Sequence, residues 1–271
     1  MTTTAPRLDR LPASARIIDP LVVARRNLLR TRRTPQAAVA ALTSPVLFLV
    51  LMRLVFGGAI HIPGITYVDY LVPAMLIQNV IFGGLSSATG LAIDVNSGLI
   101  DRFRSLPTPA SAPLLGRSLS DLALQVLATA LALIAGVAVG FRFHAEAVDY
   151  LILAGLLVLI SLSVFWVFAA LGLATKNPET VQATTPIFFL FLFVSNAFIP
   201  VYTLPHWLRP FARNQPISIF NNALRALTQG RAAARTALGH TTTYYVLASI
   251  AWCAILAAIF GALALRSYRN L

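Results

Sequence analysis

The sequence predicts an all-α integral membrane protein, and three observations predict it. Of 271 residues, 58% are hydrophobic and 11% charged, where an ordinary soluble domain carries roughly 25% charged residues. Mean hydropathy is +0.77. The apolar residues gather into six runs, near 36–58, 69–92, 118–140, 150–174, 183–202 and 244–265. Each holds about 20 residues or more, and at about 1.5 Å rise that length crosses a roughly 30 Å hydrocarbon core.

Six helices leave both termini on one side. Placing that side in the cytoplasm gives the inner segments 14 Lys/Arg and the outer segments 6, with Arg53 inside the first span. Basic residues concentrate on cytoplasmic segments, so the topology predicted is N-in and C-in. The five arginines between 203 and 243 run against that bias. The formal charge of +12 is then a membrane-surface feature, attracted to anionic lipid headgroups, and not a nucleic-acid footprint.

Residues 1–18 mix Thr, Pro, Ala and Arg without periodicity and read as a flexible cytoplasmic tail. Asp19 and Pro20 suit an N-cap and first helical position, opening an amphipathic stretch over 19–34. Arg25 and Arg32 interrupt its apolar side, but long arginines snorkel to phosphates, so an interfacial helix is expected. A plain basic flank of the first span is the alternative. No apolar signal core precedes residue 36, so the first span is expected to act as its own insertion signal.

Residues 35–271 form the six-helix domain. Pro45, Pro73 and Pro186 each remove a backbone donor inside a span, and the freed carbonyls need partners from neighbouring helices. Gln78, Asn79, Gln125, Ser161, Ser163, Ser195 and Asn196 place polar groups at membrane depth, either as glue between helices or as a path for a substrate. Cys253 is a lone cysteine and reads as a small buried hydrophobe. No carboxylate sits near the centre of a span, which disfavours an ion-coupled carrier.

The longest polar break runs from Asp94 to Asp121. Gly98 allows a turn; Leu99, Ile100, Phe103 and Leu106 then make one side of a short helix, Asp101, Arg102, Arg104 and Ser105 the other, and Pro107 and Pro109 stop it. Such a helix offers a charged face to a soluble partner, or is simply a solvated loop. Before the last span, Pro205, Pro210 and Pro216 punctuate an amphipathic stretch in which Trp207 and Phe211 beside Arg209 and Arg213 suit a membrane interface. Phe220, Leu224 and Leu227 predict a short helix ended by Gly230. These outer helices are expected to lie on the leaflet or dip back into it.

Several chemistries are excluded. The sole lysine is Lys176, followed by Asn177 and lacking the preceding glycines, so no phosphate-binding loop for ATP exists in this chain. The four histidines, His61, His144, His206 and His240, fall in loops without a zinc-protease motif. Gly84-Leu85-Ser86-Ser87 lacks the last glycine of an intramembrane serine centre, and no span carries a histidine base.

Two stretches carry a resemblance. SGLIDRFRSLPTPASAPLLGRSLSD resembles the pattern of glycine, basic residue, Leu-Pro, small residues, Gly-Arg and Asp in ABC-2 type transporter permeases of the actinobacterial daunorubicin-resistance branch. NAFIPVYTLPHWLRPFARNQPISIFNNALRALTQG is similar to the same family's run of Pro, Leu-Pro, Trp, Gln-Pro, Arg and Gly. GFRFH at 140–144 and TKNPE at 175–179 fit the branch, and the match covers about residues 20–265.

The resemblance implies a half-channel. Two permeases, identical or related, would pack over two separate ATPase subunits that bind ATP and Mg, this chain itself holding no cofactor, no metal and no catalytic residue. It implies a coupling helix near 99–106, with Leu99, Asp101, Arg102, Phe103 and Arg104 docking the ATPase. It implies a pore lined by the first, second and fifth spans, where Gln78, Asn79, Phe82, Phe188, Phe189 and Asn196 would form the substrate path and Pro200, Trp207 and Phe211 the outer gate. The expected activity is export of an amphipathic drug or envelope lipid across the plasma membrane. An ion-coupled carrier and a non-transporting scaffold are the rival readings.

Overall fold

The structure is a computed structural model that describes residues 35–58, 65–98, 112–230 and 238–271. The predicted tail 1–18, the interfacial helix 19–34 and the coupling residues Leu99, Asp101, Arg102, Phe103 and Arg104 lie outside the described residues. The described elements are helices: α1 (Pro35–Phe56), α2 (Tyr67–Asn96), α3 (Ala112–Val139), α4 (Ala147–Thr175), α5 (Pro178–Ala183), α6 (Thr185–Val194), a 3-10 turn (Val201–Thr203), α7 (Arg209–Asn214), α8 (Pro216–Gln229) and α9 (Thr242–Arg269). Four are long and apolar enough to cross a bilayer: α2, α3 over Gly116–Val139, α4 and α9. Val46–Phe56 and Pro178–Val194 form shorter apolar helices.

α2 is the interior pillar. In its most apolar window 83% of residues are buried, against 17% in α3 and α9, so the latter two leave most of their apolar surface exposed. α2 packs against α4, and α4 against α9. The α2–α4 contact is close because two glycines leave room: a Cβ on Gly172 would collide with the Ala88 carbonyl, and one on Gly84 with the Phe168 ring. Small residues let helix backbones approach where lipid supplies no hydrophobic drive between them.

The ends of the helices are set locally. Thr66 caps α2, accepting from the Asp69 amide at 3.2 Å while donating to the Asp69 carboxylate at 2.7 Å, which satisfies a free donor of the first turn. Gly140 at φ +112° ends α3, and the Arg142 amide then donates to Asp69 Oδ1 at 3.0 Å, tying the α3–α4 connection to the start of α2. Lys176, left-handed at φ 53°, closes α4, and Asn177 with Pro178 opens α5 by accepting from the Glu179 amide at 2.8 Å. These turns account physically for GFRFH and TKNPE.

Two sequence expectations are corrected. The third helix begins at Ala112 and not at 118, because residues 112–118 also wind as helix, and Arg117 there reaches Asp94 of α2. The fifth apolar run does not continue helically from 183 to 202. It breaks at Thr184 and stops at Val194, where Ser195 Oγ donates to the Leu192 carbonyl at 2.5 Å and accepts from the Ala197 amide at 3.0 Å. That local turn competes with helix continuation. Ser195, Asn196, Ala197 and Phe198 are non-helical and buried.

Candidate functional site

Unwound backbone is tolerated at membrane depth only where protein groups satisfy it. Here α8 and the first turns of α2 do so. The Tyr70 hydroxyl donates to the Asn196 carbonyl at 2.6 Å, Arg225 Nη2 to the Ala197 carbonyl at 2.7 Å, and the Tyr67 hydroxyl makes a longer 3.5 Å contact to the Phe198 carbonyl. Arg225 Nε also donates to the Tyr70 carbonyl at 3.0 Å, and its guanidinium carbon lies 3.4 Å from the centre of the Tyr70 ring. One side chain therefore ties α8, α2 and the broken fifth run together.

α8 owes this position to its sequence. Gln215 and Pro216 start it, Pro supplying a preset φ where no donor is needed. Gly230 at φ +85° ends it, against the connection after α3, whose His144 amide donates to the Thr228 carbonyl at 3.0 Å. Phe220, Leu224 and Leu227 are buried as the pattern required, but so are Ser218, Asn221, Asn222, Arg225 and Thr228. The helix is an inserted element, covered on its polar side too.

Arg225 corrects the charge count. It was one of the five outer-loop arginines opposing the N-in topology, yet it is 1% exposed and reports no loop charge. Sequence reading missed it as a site residue; the signal was an arginine one helical turn from Asn221 and two from Ser218, a polar stripe opposite an apolar one.

Around Arg225 several buried atoms have no partner. Asn222 Oδ1 accepts from Asn196 Nδ2 at 2.6 Å and Ser218 Oγ from the Asn196 amide at 3.2 Å. Asn196 Oδ1, both amide atoms of Asn221, Arg225 Nη1 and Gln229 Nε2 are buried and unpaired, and so, further along α2, are Gln78 Oε1 and Asn79 Nδ2. Unpaired buried amides carry a desolvation cost of about 1–3 kcal/mol each.

The predicted path residues divide. Gln78, Asn79 and Asn196 are buried polar residues of the interior. Phe82 and Phe189 meet with ring centres 5.0 Å apart, whereas Phe188 turns to Phe168 at 4.7 Å. Phe188 and Phe211 line an apolar cavity of about 420 Å³ between α2, α4, α6, α8 and α9. Of the predicted gate residues, Pro200 is buried and precedes the 3-10 turn, while Trp207 is 79% exposed. Arg209 shapes that stretch, donating to the Leu204 and Tyr202 carbonyls at 2.8 and 2.7 Å.

At the opposite end of α2, a second arginine is held differently. Arg117 Nη1 lies 2.7 Å from Asp94 Oδ2 and its Nε 3.6 Å from Asp121 Oδ2, and the Ser87 hydroxyl donates to Asp121. Asp94 is in the last turn of α2 and Arg117 in the second turn of α3, so this set joins the two helix ends flanking residues 99–111. Among the described residues no cluster of His, Cys, Asp or Glu gathers to hold a metal ion.

Comparison with known proteins agrees with this architecture. The family model described as ABC-2 type transporter matches residues 21–228. The chain is similar to the daunorubicin resistance ABC transporter permease protein DrrB1 of Streptomyces coeruleorubidus, 31% identical over 246 residues, covering 90% of this chain and 84% of that protein. It is also similar to two proteins of Mycobacterium tuberculosis. The probable doxorubicin resistance permease DrrC is 27% identical over 243 residues, covering 85% of this chain and 87% of that protein. The doxorubicin resistance permease DrrB is 31% identical over 195 residues, covering 68% and 67%. With its apolar helices and this match, the chain is a multi-pass plasma-membrane protein that belongs to the ABC-2 type transporter permease family.

Proposed function

We propose that this chain is the membrane subunit of an ATP-driven exporter for amphipathic compounds, a hydrophobic drug or a complex envelope lipid. Two copies, or this chain and a related permease, pack over two separate ATPase subunits that hold ATP and Mg. The chain spans the bilayer six times with both termini inside, so the α7–α8 end faces outward and the Arg117 end inward. The observation that carries the substrate class is the set of buried amides with one unpaired atom each, Gln78, Asn79 and Asn196, near the aromatic pair Phe82 and Phe189 in sequence. Such a lining offers an apolar body a surface and a few polar groups a partner. The names of the similar proteins, all drug-resistance permeases, favour the drug.

In this reading residues 99–106 receive the motion of the ATPase through Leu99, Asp101, Arg102, Phe103 and Arg104. Arg117 passes it on, because it holds the adjoining ends of α2 and α3 as one piece. Rigid helices then switch the gate near Pro200, Trp207 and Phe211 between two arrangements. The test is reconstitution with the partner ATPase in proteoliposomes and measurement of ATP turnover and daunorubicin accumulation. Drug-stimulated turnover with vectorial transport, lost in Arg102→Glu plus Arg104→Glu, is expected. Transport abolished by a protonophore and indifferent to ATP would overturn the reading in favour of an ion-coupled carrier.

A further inference from the structure

The apolar cavity beside α6 is not accounted for by the substrate path. Gln78, Asn79 and Asn196 are absent from its wall, which includes Phe188 of the six predicted path residues and Phe211 of the three predicted gate residues. Its sides are Ile77, Ile81, Val164, Phe168, Trp252 and Leu256, among others, and polar residues enter only at one end, Asn214 and Gln215 at the α7–α8 junction. Protein interiors are close-packed, so about 420 Å³ is far more than a packing defect. Walls without polar partners exclude water.

What surrounds the cavity identifies its occupant. On α6, Ile187, Leu190 and Phe191 are exposed, and on α9 Ile250, Ile255 and Ile259, an apolar rim that hydrocarbon chains wet readily. A void of this size, apolar and open beside lipid, fills with the solvent that wets it. The polar end carries the same message, since Asn214 is exposed and the exposed Arg213 precedes it in α7, beside the Tyr245 end of α9. An acyl chain in the cavity would bring its glycerol-phosphate end to a cation and an amide.

We infer that the cavity between α4, α6 and α9 is a binding site for one acyl chain of a bilayer phospholipid, whose phosphate lies at Arg213 and Asn214. The site shares Phe188 with the proposed path and Phe211 with the proposed gate but none of the path's amides, and the inference rests on the chain being embedded in a bilayer. It gives α6 a reason to stand off the bundle: α6 buries only Leu192, and the lipid chain fills the space behind it.

Trp252 in the wall is the reporter. The chain has three tryptophans, so Trp166→Phe plus Trp207→Phe leaves it alone. The full-length protein in detergent is titrated with a phospholipid brominated in the middle of one acyl chain, which quenches tryptophan on contact. Saturable quenching at about one lipid per chain is expected, weakened at least tenfold by Val167→Phe or by Leu256→Phe, and severalfold by Arg213→Gln. Two filling variants guard against one failing to fold, and the melting temperature of each is measured alongside. Quenching that rises linearly with lipid and never saturates would overturn the site. Saturable quenching indifferent to both filling variants would place the lipid elsewhere, and binding indifferent to Arg213→Gln would overturn the position of the phosphate.

Discussion

Two arginines within the helical bundle are held in opposite ways, and the difference separates two tasks. Arg117 is matched by carboxylates, Asp94 at 2.7 Å and Asp121 at 3.6 Å, with its side chain 15% exposed. Among the described residues Arg225 has no carboxylate partner; it is held by two carbonyls and a tyrosine ring. An ion pair joins two points of regular helix and needs nothing else from the fold. One of those carbonyls, Ala197, is open to a side-chain donor because the fifth apolar run is unwound at 195–198, while the other, Tyr70, lies in the first turn of α2. The first arginine rigidifies a base; the second replaces the hydrogen bonds of a broken span.

The largest expected effect breaks the second arrangement. Arg225→Leu leaves the buried Ala197 carbonyl without its Arg225 donor and removes the guanidinium contact to the Tyr70 carbonyl and ring, and should lower stability by roughly 2–4 kcal/mol with a matching fall in melting temperature in detergent. Arg225→Lys should recover less than half, because one ammonium cannot reproduce the fork of the guanidinium. If Leu is tolerated as well as Lys, the unwound segment does not depend on this side chain.

Next in size is the carboxylate-held base. Asp94→Asn removes the charge nearest Arg117 but keeps a hydrogen-bonding group, and should cost about 1–3 kcal/mol, between the values for exposed and fully buried pairs. The loss should shrink in high salt, since side chains about 15% exposed are partly screened, whereas the Arg225→Leu loss should not. Equal salt response in the two variants would remove the distinction drawn between them.

The smallest effect sharpens the cluster. Tyr70→Phe deletes the donor to the Asn196 carbonyl but keeps the ring and the carbonyl that Arg225 uses, so about 1 kcal/mol is expected. Combined with Arg225→Leu it should be non-additive, because the two share the 196–197 segment. A melting series of the two single variants and the double variant checks this.

The long helices were legible because burial in lipid demands length and apolarity together, and α2, α3, α4 and α9 supply both. The helix at 216–229 was legible from Phe220, Leu224 and Leu227 with Gly230 behind them. The break at Ser195 was not, because Ala197, Phe198 and Ile199 are as apolar as the helix before them. Hydropathy measures avoidance of water and is blind to whether a buried backbone bonds to itself or to a neighbour. The polar stripe of Ser218, Asn221 and Arg225 marked that face of the helix as polar, but the partners of Arg225 stayed hidden, since two of them are carbonyls, which no residue type announces. The lateral cavity was equally hidden: Phe188 and Phe189 were both expected on the substrate path, while a rotation of about 100° per residue sends them to different neighbours, Phe168 and Phe82.

The central claim is that the Arg225 end moves substrate while the Arg117 end receives the drive, and one measurement tests it directly. Complexes carrying Arg225→Lys or Arg117→Lys are reconstituted with the partner ATPase, and ATP turnover and daunorubicin export are recorded on the same vesicles. The claim predicts that Arg225→Lys keeps drug-stimulated turnover within about twofold while export falls at least tenfold, and that Arg117→Lys loses both together. Parallel loss of turnover and export in both variants would contradict it.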